Sequence, residues 1–149
     1  MSTFKTSREI DASSDDVFAA ISDPARLARW WGPAGFTNTF KVCEFRPGGK
    51  WSFIMHGPDG TNYPNENTFV EIGAARKVVI RHLFEPKFDL TIELSSAGTG
   101  TLVHWTQILE DADFARRVAA IITPANEQNL DRLTAEVARG RPSSPAPRS

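Results

Sequence analysis

Hydrophobic residues near the end of the chain recur at close to the helical period. Between Phe114 and Arg139 they fall at Phe114, Val118, Ile121, Ile122, Ala125, Leu130, Leu133 and Val137, which is typical of a long amphipathic helix. At a rise of ~1.5 Å per residue this helix would be about 40 Å long. It contains Thr123-Pro124, where we expect a kink or a break, because proline lacks an N–H donor and clashes with the preceding turn.

Most of the preceding chain alternates between apolar and polar residues with the period of two that a half-buried strand requires. Turn signals such as Arg46-Pro47-Gly48-Gly49 and Gly57-Pro58-Asp59-Gly60 separate the alternating segments. The pattern predicts about seven antiparallel strands, which cover Phe4–Ile10, Phe36–Phe45, Trp51–His56, Tyr63–Ile72, Lys77–Phe84, Phe88–Leu94 and Leu102–Leu109.

Two short helices are predicted between the first and second strands. Ser13 lies three residues before Asp16, as at a capped helix start. Asp23 and Pro24 fit the N-cap and first position of the next helix, which ends at Gly32-Pro33. The fold class is therefore α+β, with a long helix lying across a curved antiparallel sheet.

The chain length of 149 residues indicates one domain with a substantial core. We assign residues 1–139 to this domain. Residues 140–149 consist only of Gly, Arg, Pro, Ser and Ala, and this composition predicts a disordered tail.

Charge and cysteine content narrow the partners and the compartment. The net charge is −1, from 17 basic and 18 acidic side chains, so we expect no nucleic-acid partner. We also expect no membrane insertion, since no apolar run is long enough to span a bilayer and no signal-peptide core is present. Cys43 is the single cysteine and fits a reducing compartment. We predict a cytoplasmic monomer or homodimer.

The order of one strand, two short helices, six strands and a long helix resembles the helix-grip fold of the START-like (SRPBCC) superfamily. Several motifs are similar to the bacterial single-domain branch of the Hsp90-ATPase-activator-homologue family within it. They are Trp30-Trp31-Gly32-Pro33 after Asp23-Pro24, Arg46-Pro47-Gly48-Gly49 before Trp51, Gly57-Pro58-Asp59-Gly60, Glu71-Ile72, and residues 125–133 of the last helix. The resemblance covers about residues 4 to 139. One departure is Asn67, where the family pattern has a glycine, and it bears on the local shape of a pocket.

The resemblance implies a cavity between the sheet and the last helix, whereas the pattern alone also fits a solid core. A dry void of roughly 300 Å³ would cost about 7 kcal/mol, which is comparable with a total stability of ~5–15 kcal/mol. Polar His82 and Gln107 on the predicted inner face favour a partly wet cavity. We expect Trp30 in the core and Trp31 at the cavity mouth. The predicted ligand-binding residues are Trp31, Phe36, Trp51, Phe53, Met55, Tyr63, Phe69, Ile80, His82, Trp105, Gln107, Val118 and Ile122.

Motifs for other chemistry are not evident. His82 has the inward parity of its strand, whereas His56 and His104 have the outward parity, so the three histidines do not predict a metal site. The chain has no Gly-x-Ser-x-Gly elbow, and Cys43 has no evident neighbouring base. We predict no cofactor, no metal and no catalytic residue.

Three functions remain open on the sequence. The first is a carrier or sensor that binds a small hydrophobic or aromatic ligand, with Gln107, His82 and Tyr63 as polar contacts. The second, implied by the family's name, is an interaction module that binds a chaperone. The third is a cyclase- or hydrolase-like enzyme in which one acid or base, such as His82, moves a proton; its weakness is that no second catalytic partner is evident.

Overall fold

Seven antiparallel strands form one sheet in the order β1-β7-β6-β5-β4-β3-β2 in the computed structural model, which describes residues 1–140. The strands are β1 Ser2–Ile10, β2 Thr37–Cys43, β3 Lys50–His56, β4 Asn62–Gly73, β5 Lys77–His82, β6 Phe88–Ala97 and β7 Gly100–Leu109. The helices are α1 Ser14–Ser22, α2 Pro24–Trp30 and α3 Ala112–Gly140. The predicted α+β helix-grip architecture is confirmed.

Two features of the backbone bend the sheet. The β2–β3 register shifts between Phe40 and Val42, and the β4–β5 register shifts between Phe69 and Glu71. Such bulges increase the local twist and bend of a strand. The sheet therefore curves around α3 and leaves its concave face toward the helix.

The two predicted helix caps are confirmed. The Ser13 hydroxyl oxygen accepts a hydrogen bond from the Asp16 N–H at 3.1 Å. The Asp23 carboxylate accepts one from the Ala25 N–H at 3.1 Å, with Pro24 as the first helical residue. These caps fix where α1 and α2 begin.

α3 runs without interruption through Pro124, so the predicted alternative of a break is wrong. Pro124 and Ala120 both lie on the exposed side of the helix. The Ala120 carbonyl, which loses its helical donor to the proline, therefore has access to water, and this lowers the cost of a proline inside a helix. α3 ends at Gly140, and residues 141–149 of the predicted tail lie outside the described residues.

The two halves of α3 differ in how they pack. The buried residues of its second half are Asn126, Asn129, Leu130, Leu133, Glu136 and Val137, whereas the first half buries only Ala115. Ile121, which the periodicity placed on the apolar face, is 69% exposed. The helix is therefore attached through its second half, and its first half lies more loosely over the sheet. Within residues 1–140, no helix combines the length and the apolar content needed to span a membrane.

Arg132 attaches α3 to the loop over residues 31–36, here called the α2–β2 loop. Its guanidinium donates hydrogen bonds of 2.8–3.4 Å to the backbone carbonyls of Arg29, Trp31, Gly32, Pro33 and Phe36. The Asn129 side-chain oxygen accepts from the Gly32 N–H at 3.0 Å, and the Gln128 side-chain oxygen accepts from the Ala34 N–H at 3.1 Å. One turn of α3 thus supplies the hydrogen bonds that an irregular loop cannot make within itself.

Gly32 is required in this loop. Its φ is +102°, and a Cβ there would lie 2.8 Å from the Met55 terminal methyl group and 3.2 Å from Phe36 Cβ. A larger residue would be strained in backbone conformation and crowded by its neighbours. The glycine of the Trp30-Trp31-Gly32-Pro33 motif is therefore explained by local geometry.

Glu136 is the centre of a second attachment, between α3 and α2. Its carboxylate accepts hydrogen bonds from Arg26, Arg29 and Arg139 at 2.9–3.1 Å, and its side chain is 4% exposed. Burial alone would raise the pKa of Glu136, but the bonds from Arg29, Arg26 and Arg139 outweigh it and lower the pKa to about 2. The ionised carboxylate is thus the stable form in the folded protein.

A third set of contacts joins α3 to the first strand. Arg8 on β1 donates to Glu127 Oε1 at 3.0 Å and to Asp131 Oδ1 at 2.8 Å, and the Thr6 hydroxyl donates to Glu127. These groups are partly exposed, so each pair adds little stability by itself. Together with Arg132 and Glu136 they orient the second half of α3 on three sides.

We predict that Glu136→Gln destabilises the fold at neutral pH and that the effect disappears in acid. Because the folded-state pKa of about 2 lies below the ordinary 4.5, the Glu136 contribution is complete above the unfolded pKa and is lost as pH falls toward the folded one. The unfolding free energy should fall by about 3 kcal/mol at neutral pH. Denaturant titrations between pH 7 and pH 2 measure this, with exposed Glu93→Gln as control. A difference that stays constant down to the lowest pH would contradict the assignment.

Arg132→Lys should loosen the α2–β2 loop without unfolding the protein. Lysine has one ammonium with three donors and cannot reproduce the two-pronged contact with five carbonyls, so we expect a loss of about 1–3 kcal/mol in unfolding free energy. Hydrogen exchange at the Gly32 and Ala34 amides should become faster. The control is Arg116→Lys on the exposed first half of α3. Unchanged exchange at both amides would show that Arg132 does not hold the loop.

Candidate functional site

A cleft of about 220 Å³, partly open to solvent, lies between the middle of α3 and the sheet. The α2–β2 loop forms one end of it, and residues of β3, β4, β6 and β7 form the floor. The lining residues are Trp31, Gly32, Pro33, Met55, Asn65, Asn67, Phe88, Leu90, Trp105, Gln107, Ile122, Ala125, Asn126 and Asn129. None of them carries a charge. The cleft lies where α3 changes from loose to tight packing.

Two tryptophans form the aromatic wall of the cleft. Trp31 has its ring centroid 6.1 Å from that of Trp105 and 4.9 Å from that of Trp51. Trp30 instead packs in the core, 1% exposed, with its indole N–H donating to the Ala20 carbonyl at 2.9 Å. The sequence favoured this division between the two neighbouring rings.

Four of the predicted ligand contacts are packed into the core and do not line the cleft. Trp51, Phe53, Phe69 and Ile80 are each at most 2% exposed. The Trp51 ring stacks on Phe69 with centroids 5.3 Å apart and contacts Phe53 at 4.5 Å. The sheet and the elements packed on it therefore form a solid core around these residues. This packing does not favour the four residues as ligand contacts.

The remaining predicted residues have three different positions. Met55, Trp105, Gln107 and Ile122 line the cleft with Trp31. Phe36 and Tyr63 contact each other outside the lining, with ring centroids 6.0 Å apart and Tyr63 44% exposed. Val118 is half-buried one turn before Ile122 and is not part of the lining.

Side-chain amides supply the polar part of the lining. They are Asn65, Asn67, Gln107, Asn126 and Asn129. Asn126 Nδ2 donates to Gln107 Oε1 at 3.2 Å, across the cleft from α3 to β7. The indole nitrogen of Trp105 is buried and has no hydrogen-bond partner within the described part of the chain. The cleft is thus apolar in its walls and carries hydrogen-bonding groups that the fold uses only in part.

Asn67 joins His82 to the cleft. Its Nδ2 donates to the Trp51 carbonyl at 3.3 Å, so its Oδ1 points to His82 Nδ1, 3.0 Å away. Because an amide oxygen only accepts, the imidazole carries its proton on Nδ1. Burial lowers the pKa of His82, which favours the neutral ring.

His82 itself lies behind Asn67 and does not line the cleft. Its ring stacks on Phe88 with centroids 4.8 Å apart. It faces a separate open groove of about 450 Å³ that includes Arg81, Leu83 and Lys87. Any influence of His82 on a molecule in the cleft must therefore pass through Asn67 or Phe88.

Sequence reasoning missed several lining residues, above all Asn126 and Asn129. Asn126 lies four residues after Ile122, and Asn129 lies three residues after Asn126, so the helical period puts all three on one face. A polar pair on the apolar face of an amphipathic helix was the available signal. Phe88 and Leu90 of β6 also line the cleft. The alternation along a strand does not indicate which of its inward-facing residues line a cleft and which pack in the core.

Other reactive groups are poorly placed for chemistry. Burial raises the pKa of the Cys43 thiol to about 11, so the nucleophilic thiolate is scarce at neutral pH. His56 bonds to Thr39 and Asn62 at 2.7 Å each. Over residues 1–140, no group of three or more His, Cys, Asp or Glu side chains is arranged to hold a metal ion.

Comparison with solved structures supports the fold. A protein from Nitrosomonas europaea matches with a TM-score of 0.83 and 18% identity, covering 92% of this chain and 94% of its own. A protein from Arthrobacter aurescens matches with a TM-score of 0.83 and 25% identity, covering 93% of this chain and 87% of its own. An AHSA1-like protein from Aeromonas hydrophila has a TM-score of 0.72 and 21% identity, with 93% of each chain covered. No curated protein matches the chain.

The family itself is shown by sequence. A sequence model described as "Activator of Hsp90 ATPase homolog 1-like protein" matches residues 11–138. This range includes both short helices, six of the seven strands and α3 almost to its end. The chain therefore belongs to the family of Activator of Hsp90 ATPase homolog 1-like proteins.

Proposed function

We propose that this protein binds a small aromatic or hydrophobic compound in the cleft, as a carrier or a sensor. The observation that carries the proposal is that α3 packs tightly only through its second half and leaves a lined cleft under Ile122 and Ala125. Apolar walls with a few convergent polar groups are typical of small-molecule sites. The single cysteine, Cys43, supports a cytoplasmic location for this activity.

The size of the cleft limits the ligand. Its volume of about 220 Å³ is below the ~300–1,000 Å³ of sites for drug-sized molecules. A compound of about one or two rings fits this volume, and Trp31 and Trp105 in the lining give the cleft an aromatic wall for it to contact. A long acyl chain would have to extend out of the cleft.

The alternative functions have less support. Chaperone binding rests on the family's name, and no contact among the described residues points to a chaperone surface. An enzymatic role would need His82 to reach the substrate, but Asn67 separates it from the cleft. A ligand screen that finds no binding would favour one of these two alternatives.

The proposal predicts that Ala125→Phe blocks binding, because a ring at this position occupies the cleft. Native mass spectrometry of the purified protein, followed by tryptophan-fluorescence titration with neutral one- and two-ring aromatic compounds, identifies a ligand. We expect the variant to bind it at least about tenfold more weakly. Ile121→Phe adds the same ring one turn earlier, where the side chain is 69% exposed, and should bind like the wild type.

Two results would overturn the proposal. The first is a wild-type protein that carries no co-purified compound and responds to no member of the library by fluorescence or thermal shift. The second is equal weakening by Ala125→Phe and Ile121→Phe, which would place the binding site elsewhere.

A further inference from the structure

We infer that the cleft selects an uncharged ring compound that carries both a carbonyl-type oxygen and a hydroxyl group. This inference rests on the proposed function and concerns the chemical class of the ligand. It follows from which charges are absent from the lining and which hydrogen-bonding atoms the folded chain leaves unused.

The lining disfavours a charged ligand. A carboxylate would meet no lysine or arginine in the cleft, and an ammonium would meet no aspartate or glutamate. A charge that leaves water without a partner carries a large desolvation cost. The nearest cation at the α2–β2 loop, Arg132, already donates to five backbone carbonyls. A neutral ligand avoids this cost.

The lining keeps both donors and acceptors that no described residue uses. Asn65 donates its side-chain N–H to the Tyr63 carbonyl at 3.0 Å, which leaves its side-chain oxygen without a partner within residues 1–140. Asn129 uses its oxygen for the Gly32 N–H, which leaves its NH₂ group without a partner in the described chain. Donors of this kind are satisfied by a ligand oxygen that accepts hydrogen bonds, such as the oxygen of a ketone or quinone.

The pair Gln107–Asn126 adds one donor group and one acceptor. These two amides share a single hydrogen bond of 3.2 Å. Whichever amide donates it, the pair leaves one oxygen and one NH₂ group without partners within residues 1–140. The free oxygen can accept from a ligand hydroxyl, while the free NH₂ group can donate to a carbonyl. Asn67 is excluded from this role, because its oxygen and its nitrogen both have protein partners.

Apolar contact alone would not distinguish a ligand with polar groups from an apolar ligand of the same size. A site that only buries rings gains affinity with apolar area, whereas buried polar groups left unpaired by an apolar ligand penalise it. The structure therefore favours a ligand with two different polar groups on a small ring system over a hydrocarbon or an alkyl chain of equal size.

The experiment uses four probes of similar size in fluorescence titrations of the full-length protein: naphthalene, tetralone, hydroxytetralone and naphthoate. We expect hydroxytetralone to bind at least about tenfold more tightly than naphthalene, because it can satisfy two or more unused groups. Tetralone should lie between them, and naphthoate should bind most weakly. The double variant Gln107→Met/Asn126→Leu, which removes both amides of the pair, should reduce the preference for hydroxytetralone over tetralone, whereas Thr106→Val on the opposite face of β7 should keep it.

A second measurement does not depend on the variants folding. In the wild-type protein, NMR signals of the Gln107 and Asn129 side-chain NH₂ groups should shift with hydroxytetralone more than with naphthalene. The inference is overturned, with ligand binding intact, if naphthalene binds as tightly as hydroxytetralone or if naphthoate binds most tightly. If none of the four probes binds and the broader library also fails, the proposed function itself is wrong and this inference with it.

Discussion

The structure depends on how the second half of α3 is attached to the rest of the domain. Arg132 donates to five backbone carbonyls, one at the end of α2 and four in the α2–β2 loop, and the Glu136 carboxylate accepts hydrogen bonds from three arginines. Irregular backbone and buried charge would both be costly without these partners. Leu130, Leu133 and Val137 supply the apolar contact between these polar attachments. The position of α3 is therefore fixed by directional hydrogen bonds as well as by the burial of its apolar side chains, which has no preferred direction.

This arrangement explains why a cleft exists at all. Since the attachments lie at residues 126–139, the first half of α3 is held in place mainly by continuity with the second. Pro124 lies at the boundary between the two halves, and the helix continues through it. The curved sheet and α3 leave a gap near Ile122, which Trp31 and Trp105 line. The cleft is thus a consequence of attaching α3 to the curved sheet through only one half of the helix.

Local patterns in the sequence predicted the elements well, for physical reasons that act over a few residues. Caps at Ser13 and Asp23, alternation along β3 and β5, and helical spacing after Phe114 all reflect short-range geometry. The residues that line the cleft were less predictable. The alternation along a strand indicates toward which face of the sheet a side chain points, but it does not indicate which distant side chains it contacts. Trp51 and Trp105 share the inward parity, yet Phe69 and Phe53 pack around Trp51, whereas Trp105 lines the cleft. That difference arises from the path of α3, which no short segment encodes.

The polar residues between the sheet and α3 form two groups. Those of the first group use their hydrogen-bonding groups within the protein, and those of the second group do so only in part. Asn67 and Arg132 use their hydrogen-bonding capacity within the protein, and a Gly at position 67 would leave the buried His82 Nδ1 without its partner. Folding stability is a sufficient reason for residues of this kind. Gln107 and Asn126 instead keep groups that no described residue satisfies. Apolar side chains of similar shape there would be neutral or favourable for folding. The unused groups in the lining support the proposal that a molecule enters the cleft from outside.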